Sequence, residues 1–264
     1  MIDISQIDYS MFDRPEILSL LFHPRSEFSA HEKTDSMQDF LIPVDDDVNI
    51  GAIFYIAGET APNILFFHGN GEIAADYDDI GSIYNEMGVN LMVVDYRGYG
   101  RSTGRPTVTA MMRDAHLTFD WMLKRLEKHG HGGTFFVMGR SLGSASVLEL
   151  AANYPEEIDG LIVESGFTCV DPLLELLGGK VKALGVKEEA GARNIDKIRK
   201  YDKPTLIIHA EYDHLIPFAE GKALYDASPA EDKRLIKIPH ADHNTIFQYG
   251  MSEYLDAIRE FIKI

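Results

Sequence analysis

Apolar residues first gather in two stretches, Gln38 to Val44 and Asn49 to Ile56, separated by Asp45-Asp46-Asp47. That pattern predicts a hairpin with a polar turn. Beyond it, short apolar runs alternate with longer segments of helical spacing, which is the pattern of βαβ units on a parallel sheet. The runs are Asn63 to Phe67, Asn90 to Val94, Thr134 to Met138, Gly160 to Val163, Thr205 to His209 and Arg234 to Ile238. With the hairpin they predict eight strands. Helices are expected over Val108 to Lys128, Ser144 to Asn153, Phe218 to Ala227 and Glu253 to Ile262. In the first of these, Met111, Met112, Ala115, Leu117, Phe119, Met122, Leu123 and Leu126 recur at mainly helical spacing, a stripe that core packing explains better than a ligand site.

The connection from Gly166 to Lys203 is longer than the others, and it holds a Leu-rich piece, Leu173 to Leu177. Loops of this length are often lids, so 166–203 is expected to be a small helical cap inserted in one domain spanning 1–264.

Composition narrows the setting. The chain has 264 residues and 45% hydrophobic content, which suits a single α/β domain with one large core. No run approaches the roughly 18 apolar residues of a membrane span. The N-terminus carries Asp3, Asp8 and Asp13 where a signal peptide would be basic. A cytoplasmic protein without stable membrane insertion is expected. The formal net charge of −17 repels nucleic acid and anionic lipid, and solubility accounts for it. Cys169 is the single cysteine, so no internal disulfide forms, and it reads as a small packing residue. The Asp45 to Asp47 triplet lacks the glycine and terminal glutamate of a calcium loop. No metal or cofactor is expected.

Candidate chemistry begins at "GRSLGS", residues 139 to 144. Gly-x-Ser-x-Gly between a strand and a helix is the setting of a nucleophile elbow, with Ser141 at its corner. The helix N-terminus offers amide donors and partial positive charge to an oxyanion. A serine hydroxyl needs a base and a group to orient that base. Asp213 follows the Thr205 to His209 run, and His243 follows the last one. Glu211 and Asp242 stand as alternatives for the acid, and His240 or His214 for the base. Asp213 is preferred because its loop leaves the C-terminal end of a strand, where ligands collect in open α/β sheets. In "FFHGNGE", residues 66 to 72, the backbone amide of Asn70 is expected to join that of Leu142 in an oxyanion hole, with Gly71 the alternative to Asn70. His68 reads as an organiser of this loop.

Taken together, "FFHGNGE", "DYRGYGRSTGRPT" at 95 to 107, "GRSLGS", "EYDHLIP" and "HADHNTI" resemble the α/β-hydrolase superfamily. More narrowly they resemble the Bem46-like serine hydrolases and the alpha/beta hydrolase domain-containing 13 and 17 groups. The resemblance covers roughly residues 38 to 264. It implies an α/β-hydrolase fold, a mostly parallel eight-stranded sheet with helices on both faces, and a Ser141, Asp213, His243 triad with Asn70 and Leu142 at the oxyanion. Two features depart from the pattern: Ala210 stands where a glycine often precedes the acid loop, and the first 30 or so residues match no motif. Neither is expected to touch the chemistry. Arg97, in the 95–107 segment, is read as loop architecture.

The expected activity is hydrolysis of a carboxylic ester or thioester through an acyl-enzyme on Ser141. Thioesterase action on acylated protein or coenzyme A, and peptidase action, are the alternatives that use the same triad. A binding protein on the hydrolase scaffold is the alternative from another class. Dehalogenase and epoxide hydrolase chemistry would need a carboxylate where Ser141 stands. The partner is a small-molecule or acylated substrate, and the sequence carries no sign of oligomeric state.

Overall fold

The computed structural model of the protein describes residues 2–27, 34, 36–170, 174 and 193–263. Its strands are β1 (Met37–Asp45), β2 (Val48–Tyr55), β3 (Asn63–Phe67), β4 (Asn90–Val94), β5 (Phe135–Arg140), β6 (Gly160–Glu164), β7 (Thr205–Ala210) and β8 (Lys233–Ile238). They form one sheet in the order β1-β2-β4-β3-β5-β6-β7-β8. β2 runs antiparallel to both β1 and β4, and every other pairing is parallel. This is the α/β-hydrolase fold, with each expected strand present to within about two residues at its ends.

Strand residues divide between two buried clusters with a period of two. Ala52 and Phe54 of β2 join one cluster while Ile53 and Tyr55 join the other. β3 splits Leu65 and Phe67 from Ile64 and Phe66 in the same way, and β4 splits Met92 and Val94 from Leu91 and Val93. Successive side chains point to opposite faces of a sheet. A sheet covered on both faces therefore needs unbroken apolar runs, which is what the sequence supplies.

The first face is covered by α1 (Pro15–Leu21), α3 (Val108–His129), α4 (Gly143–Asn153), α5 (Asn194–Ile198) and α6 (Phe218–Ala227). The second is covered by α2 (Asp78–Glu86) and α7 (Ile246–Ile262). Met111, Met112, Ala115, Phe119, Met122 and Leu126 of α3 pack into the first cluster as their spacing predicts, while Leu123 is half-buried against it and Leu117, also half-buried, is not part of it. Thr107 caps that helix by accepting the Ala110 amide at 3.0 Å, and Gly130 ends it in the left-handed region at φ 72°.

Two helices escaped the sequence pattern, and each is short. α1 spans two turns or less, and α2 has charged residues and Gly81 along its length, while α5 falls within the 166–203 segment expected to be helical. The last helix starts at Ile246, seven residues before the expected Glu253, and its helical geometry is interrupted at Gly250. Most of the expected cap, 166–203, including the run Leu173 to Leu177 apart from Leu174, lies outside the described residues. Leu174 itself is fully buried in the first cluster.

Candidate active site

Four parallel strands end at the same edge of the sheet, and the loops that follow β3, β5, β7 and β8 deliver the candidate residues. Sites in open α/β sheets form at these carboxyl ends. β5 runs directly into the elbow. Ser141 sits at φ 52°, a backbone region that costs a non-glycine residue energy and is tolerated where the surroundings impose it.

The two glycines of the motif answer to steric demands. A Cβ on Gly143 would lie 2.0 Å from the carbonyl oxygen of Phe67, and one on Gly139 would lie 2.3 Å from that of Gly143. Only glycine lets α4 start this close to β3 and β5. The Ser141 amide donates to the carbonyl of Glu164 at 2.8 Å, which fixes the corner to β6.

Ser141 Oγ lies 3.1 Å from His243 Nε2, and His243 Nδ1 lies 2.7 Å from Asp213 Oδ2. All three residues are buried. The second carboxylate oxygen of Asp213 accepts the amides of Leu215 at 3.0 Å and Ile216 at 2.7 Å. Burial raises the pKa of Asp213, but hydrogen bonding and charge from His243, with the Ile216 amide, outweigh it and hold the carboxyl below its ordinary value. An ionised Asp213 accepts a hydrogen bond from Nδ1–H, which leaves the Nε2 lone pair facing Ser141.

The rival residues are engaged elsewhere. Glu211 pairs with Lys237 at 2.8 Å and accepts the His240 amide at 3.1 Å. Asp242 accepts the Asn244 amide and the Thr245 hydroxyl, each at 2.9 Å. His240 and His214 are exposed.

A cavity of about 210 Å³ opens over the serine. Leu142, Leu215, Ile216 and Leu21 give it apolar walls, and Asn70, Ser141 and His243 share its surface. Leu142 caps the N-terminus of α4, where amides lack helical partners. Asn70 follows β3 on the facing loop. The oxyanion candidates are thus brought to one cavity with the serine. Behind them His68 is fully buried, with its Nε2 3.3 Å from Asp95 Oδ1. Arg97 forks onto Asp114 at 2.7 and 2.9 Å.

Sequence reasoning overlooked two contributors. One is Arg140, the variable residue before the serine. Its guanidinium donates to Glu164 at 2.9 Å, to the carbonyl of His243 at 2.7 Å, and to Glu72. Glu72 in turn accepts the Gly69 amide at 2.7 Å and the Tyr77 hydroxyl at 2.6 Å. Burial lowers the pKa of Arg140, but Glu72 and Glu164 more than offset it and hold it charged. One buried cation thereby joins the Asn70 loop, the elbow and the His243 loop. The alternation of charge among "GNGE", "GRS" and "VES" was the available signal, and only the fold brings the three together.

The other is the N-terminal segment, expected to stand clear of the chemistry. Leu21 lines the cavity, and His23 hydrogen-bonds Asn70. No motif marked it because its contacts are made through a single leucine, a backbone amide and one ring nitrogen.

Known proteins resemble this chain in sequence and in fold. A family model described as serine aminopeptidase, S33, matches residues 58–187. Human alpha/beta hydrolase domain-containing protein 17B is 29% identical over 246 residues, covering 89% of this chain and 78% of that protein. Its Xenopus tropicalis counterpart matches at the same identity and coverage. Among solved structures, the Pyrococcus furiosus esterase Pf2001 superposes with a TM-score of 0.73 at 18% identity, covering 91% of this chain and 98% of that one. Est1E from Butyrivibrio proteoclasticus, solved with ferulic acid bound, gives 0.68 at 21% identity over 85% and 98%. The chain has the α/β-hydrolase fold of these solved structures. In sequence it is similar to the alpha/beta hydrolase domain-containing protein 17 group. Among the described residues, no helix is long and apolar enough to cross a membrane.

Proposed function

We propose that the protein is a serine hydrolase that cleaves a carboxylic ester or thioester through an acyl-enzyme on Ser141. The observation that carries this reading is the hydrogen-bonded line from Ser141 Oγ to His243 to Asp213, at 3.1 and 2.7 Å, built on a serine held at φ 52°. A serine whose only role was packing would not need a strained corner, a buried histidine and a buried carboxylate in series.

The chemistry follows from the geometry. As Ser141 Oγ attacks the acyl carbon, His243 Nε2 takes its proton, and Asp213 stabilises the imidazolium. The carbonyl oxygen becomes an alkoxide, for which the amides of Leu142 and Asn70 are the proposed donors; one such donor is typically worth about 2.7–4 kcal/mol of barrier. The imidazolium then protonates the departing alcohol or thiol as its bond to the acyl carbon breaks. In the second half, water gives a proton to His243 and attacks the acyl-enzyme. Ser141 Oγ recovers that proton on leaving, and the carboxylic acid is released. The apolar walls from Leu21, Leu142, Leu215 and Ile216 suit an acyl group better than a charged one.

One observation favours a second reading, peptidase action: the serine aminopeptidase description of the family model over residues 58–187. A cytoplasmic setting is part of the proposal, supported by the lone cysteine Cys169, which makes no internal disulfide. Initial rates on p-nitrophenyl esters from acetate to palmitate, on acyl thioesters and on aminoacyl p-nitroanilides test the choice. Ester or thioester turnover with inert anilides supports the proposal. Anilide turnover alone favours the peptidase, and inertness throughout would shift weight to a non-catalytic binding role.

A further inference from the structure

The chain ahead of the sheet crosses to the active site before the first strand begins. α1 buries Ile17 and Leu21, and Leu21 reaches the cavity wall. Beyond it, residues 25–27 run alongside the loop after β4. Gly100 donates to the Arg25 carbonyl at 2.8 Å, Glu27 donates to the Gly100 carbonyl at 2.9 Å, and Ser26 forms a parallel bridge with Gly100. The segment is therefore bound by backbone hydrogen bonds on the far side of the residues that touch the site.

Between these anchors stands His23, an exposed residue with a specific network. Its amide lies 2.9 Å from Asn70 Oδ1 and 2.7 Å from the Tyr99 hydroxyl oxygen, and donates to both. The Tyr99 hydroxyl donates to Asn70 Oδ1 at 2.7 Å and also accepts the Gly71 amide. With two donors on Oδ1, the flip of the Asn70 amide is assigned by the network. Nδ2 is the end that faces His23 Nδ1, at 2.8 Å, and Nδ1 must present its lone pair there.

Asn70 stands between Gly69 and Gly71, with Gly71 at φ 77°, so the loop has little side-chain packing of its own. An oxyanion donor works only if it is already aimed when charge develops. Two sets of contacts supply that rigidity: Glu72, held by Arg140, takes the Gly69 amide, and His23 and Tyr99 hold the Asn70 side chain itself.

We propose that the N-terminal segment is a working part of the active site. His23 is a positioning residue that fixes the Asn70 loop for the oxyanion, and Leu21 sets the depth of the acyl pocket and hence the preferred acyl length. The inference rests on the reading of Ser141 as nucleophile and of the Asn70 amide as an oxyanion donor.

The test is steady-state kinetics on p-nitrophenyl esters from acetate to decanoate for wild type, His23→Ala, His23→Asn and Leu21→Ala, with fluorophosphonate labelling of each. Because the His23 side chain is exposed, His23→Ala should keep the wild-type melting temperature. It should lower kcat by about fivefold, the worth of roughly one hydrogen bond, with KM little changed. His23→Asn places an acceptor oxygen where Nδ1 was and should recover most of the loss. Leu21→Ala should move the preferred ester to a longer acyl chain. If wild type labels and turns over but His23→Ala keeps full kcat and Leu21→Ala keeps the wild-type chain-length profile, the inference fails while the nucleophile reading stands. An equal loss in His23→Ala and His23→Asn would also overturn the positioning role. Failure of wild type to label would instead bring down the underlying reading.

Discussion

Arg140 Nη2 donates to the backbone carbonyl of His243 at 2.7 Å, so the residue beside Ser141 holds the loop that carries this histidine 103 positions later. The same guanidinium holds Glu72 and Glu164, which makes it the one buried cation on which the elbow, the Asn70 loop and the His243 loop all depend.

Replacing that fork with a point charge should damage the chemistry more than substrate binding. Lysine offers an ammonium on a flexible stem and cannot span three partners in one plane. Arg140→Lys is expected to lower kcat at least about tenfold with a smaller change in KM, since misplacement on the order of 1 Å can cost a hundredfold. Arg140→Ala leaves Glu164 buried without its cation and should also destabilise the fold by about 3–5 kcal/mol. Kinetics paired with urea unfolding separates the two effects.

The elbow glycines make a steric prediction. Gly143→Ala places a methyl group 2.0 Å from the Phe67 carbonyl oxygen, so β3 and α4 must part. Activity should fall to background, or the protein should lose solubility. A Gly143→Ala variant with wild-type activity and melting temperature would contradict the close packing described for the elbow.

Asp213→Asn tests the orienting carboxylate. The amide retains the shape but cannot enforce the Nδ1-protonated tautomer of His243. A drop in kcat on the order of 10³ to 10⁴ is expected, with the fold intact. A loss of less than about tenfold at neutral pH would move the acid role to another residue.

The sequence disclosed most of this because its strongest signals were physical requirements. The parallel strands must be apolar on both faces, so Asn63 to Phe67 and Asn90 to Val94 stood out as unbroken runs. Gly139 and Gly143 are demanded by backbone contacts, so the elbow was legible. Asp213 and His243 were found as residues just past strand ends. By contrast, α1 and α2 are too short to show a sustained helical period. The Arg140 network depends on charges brought together from positions 72, 140 and 164, and the roles of Leu21 and His23 arise only from docking of the N-terminal segment. Such relations belong to tertiary structure and leave no local pattern.

Away from the site, Glu149 on α4 carries a second buried charge cluster. It pairs with Lys197 at 2.8 Å, accepts the Tyr9 hydroxyl at 2.8 Å and lies 3.5 Å from His116 Nε2. Burial raises its pKa, but the neighbouring His116 and the positive charge of Lys197, with the Tyr9 hydroxyl bond, outweigh it and hold the carboxyl well below its ordinary value of 4.5. A folded-state value below the unfolded one contributes stability that is complete above the unfolded value and is lost as pH falls toward the folded one. Glu149→Gln should therefore cost about 3 kcal/mol at pH 7, where Lys197 loses its counterion. The gap to wild type should begin to close only below about pH 4.5. Paired urea titrations from pH 7 to 3 measure it, and a gap independent of pH would place the effect in packing rather than charge.

Whether Ser141 is a nucleophile primed by His243 is read from intact-protein mass after treatment with a fluorophosphonate, followed by peptide mapping, for wild type, Ser141→Ala and His243→Ala. Wild type should carry a single adduct, located at Ser141, Ser141→Ala should carry none, and labelling of His243→Ala should be slowed by on the order of a thousandfold. Wild type that stays unlabelled, or an adduct that persists in Ser141→Ala, would contradict the nucleophile role.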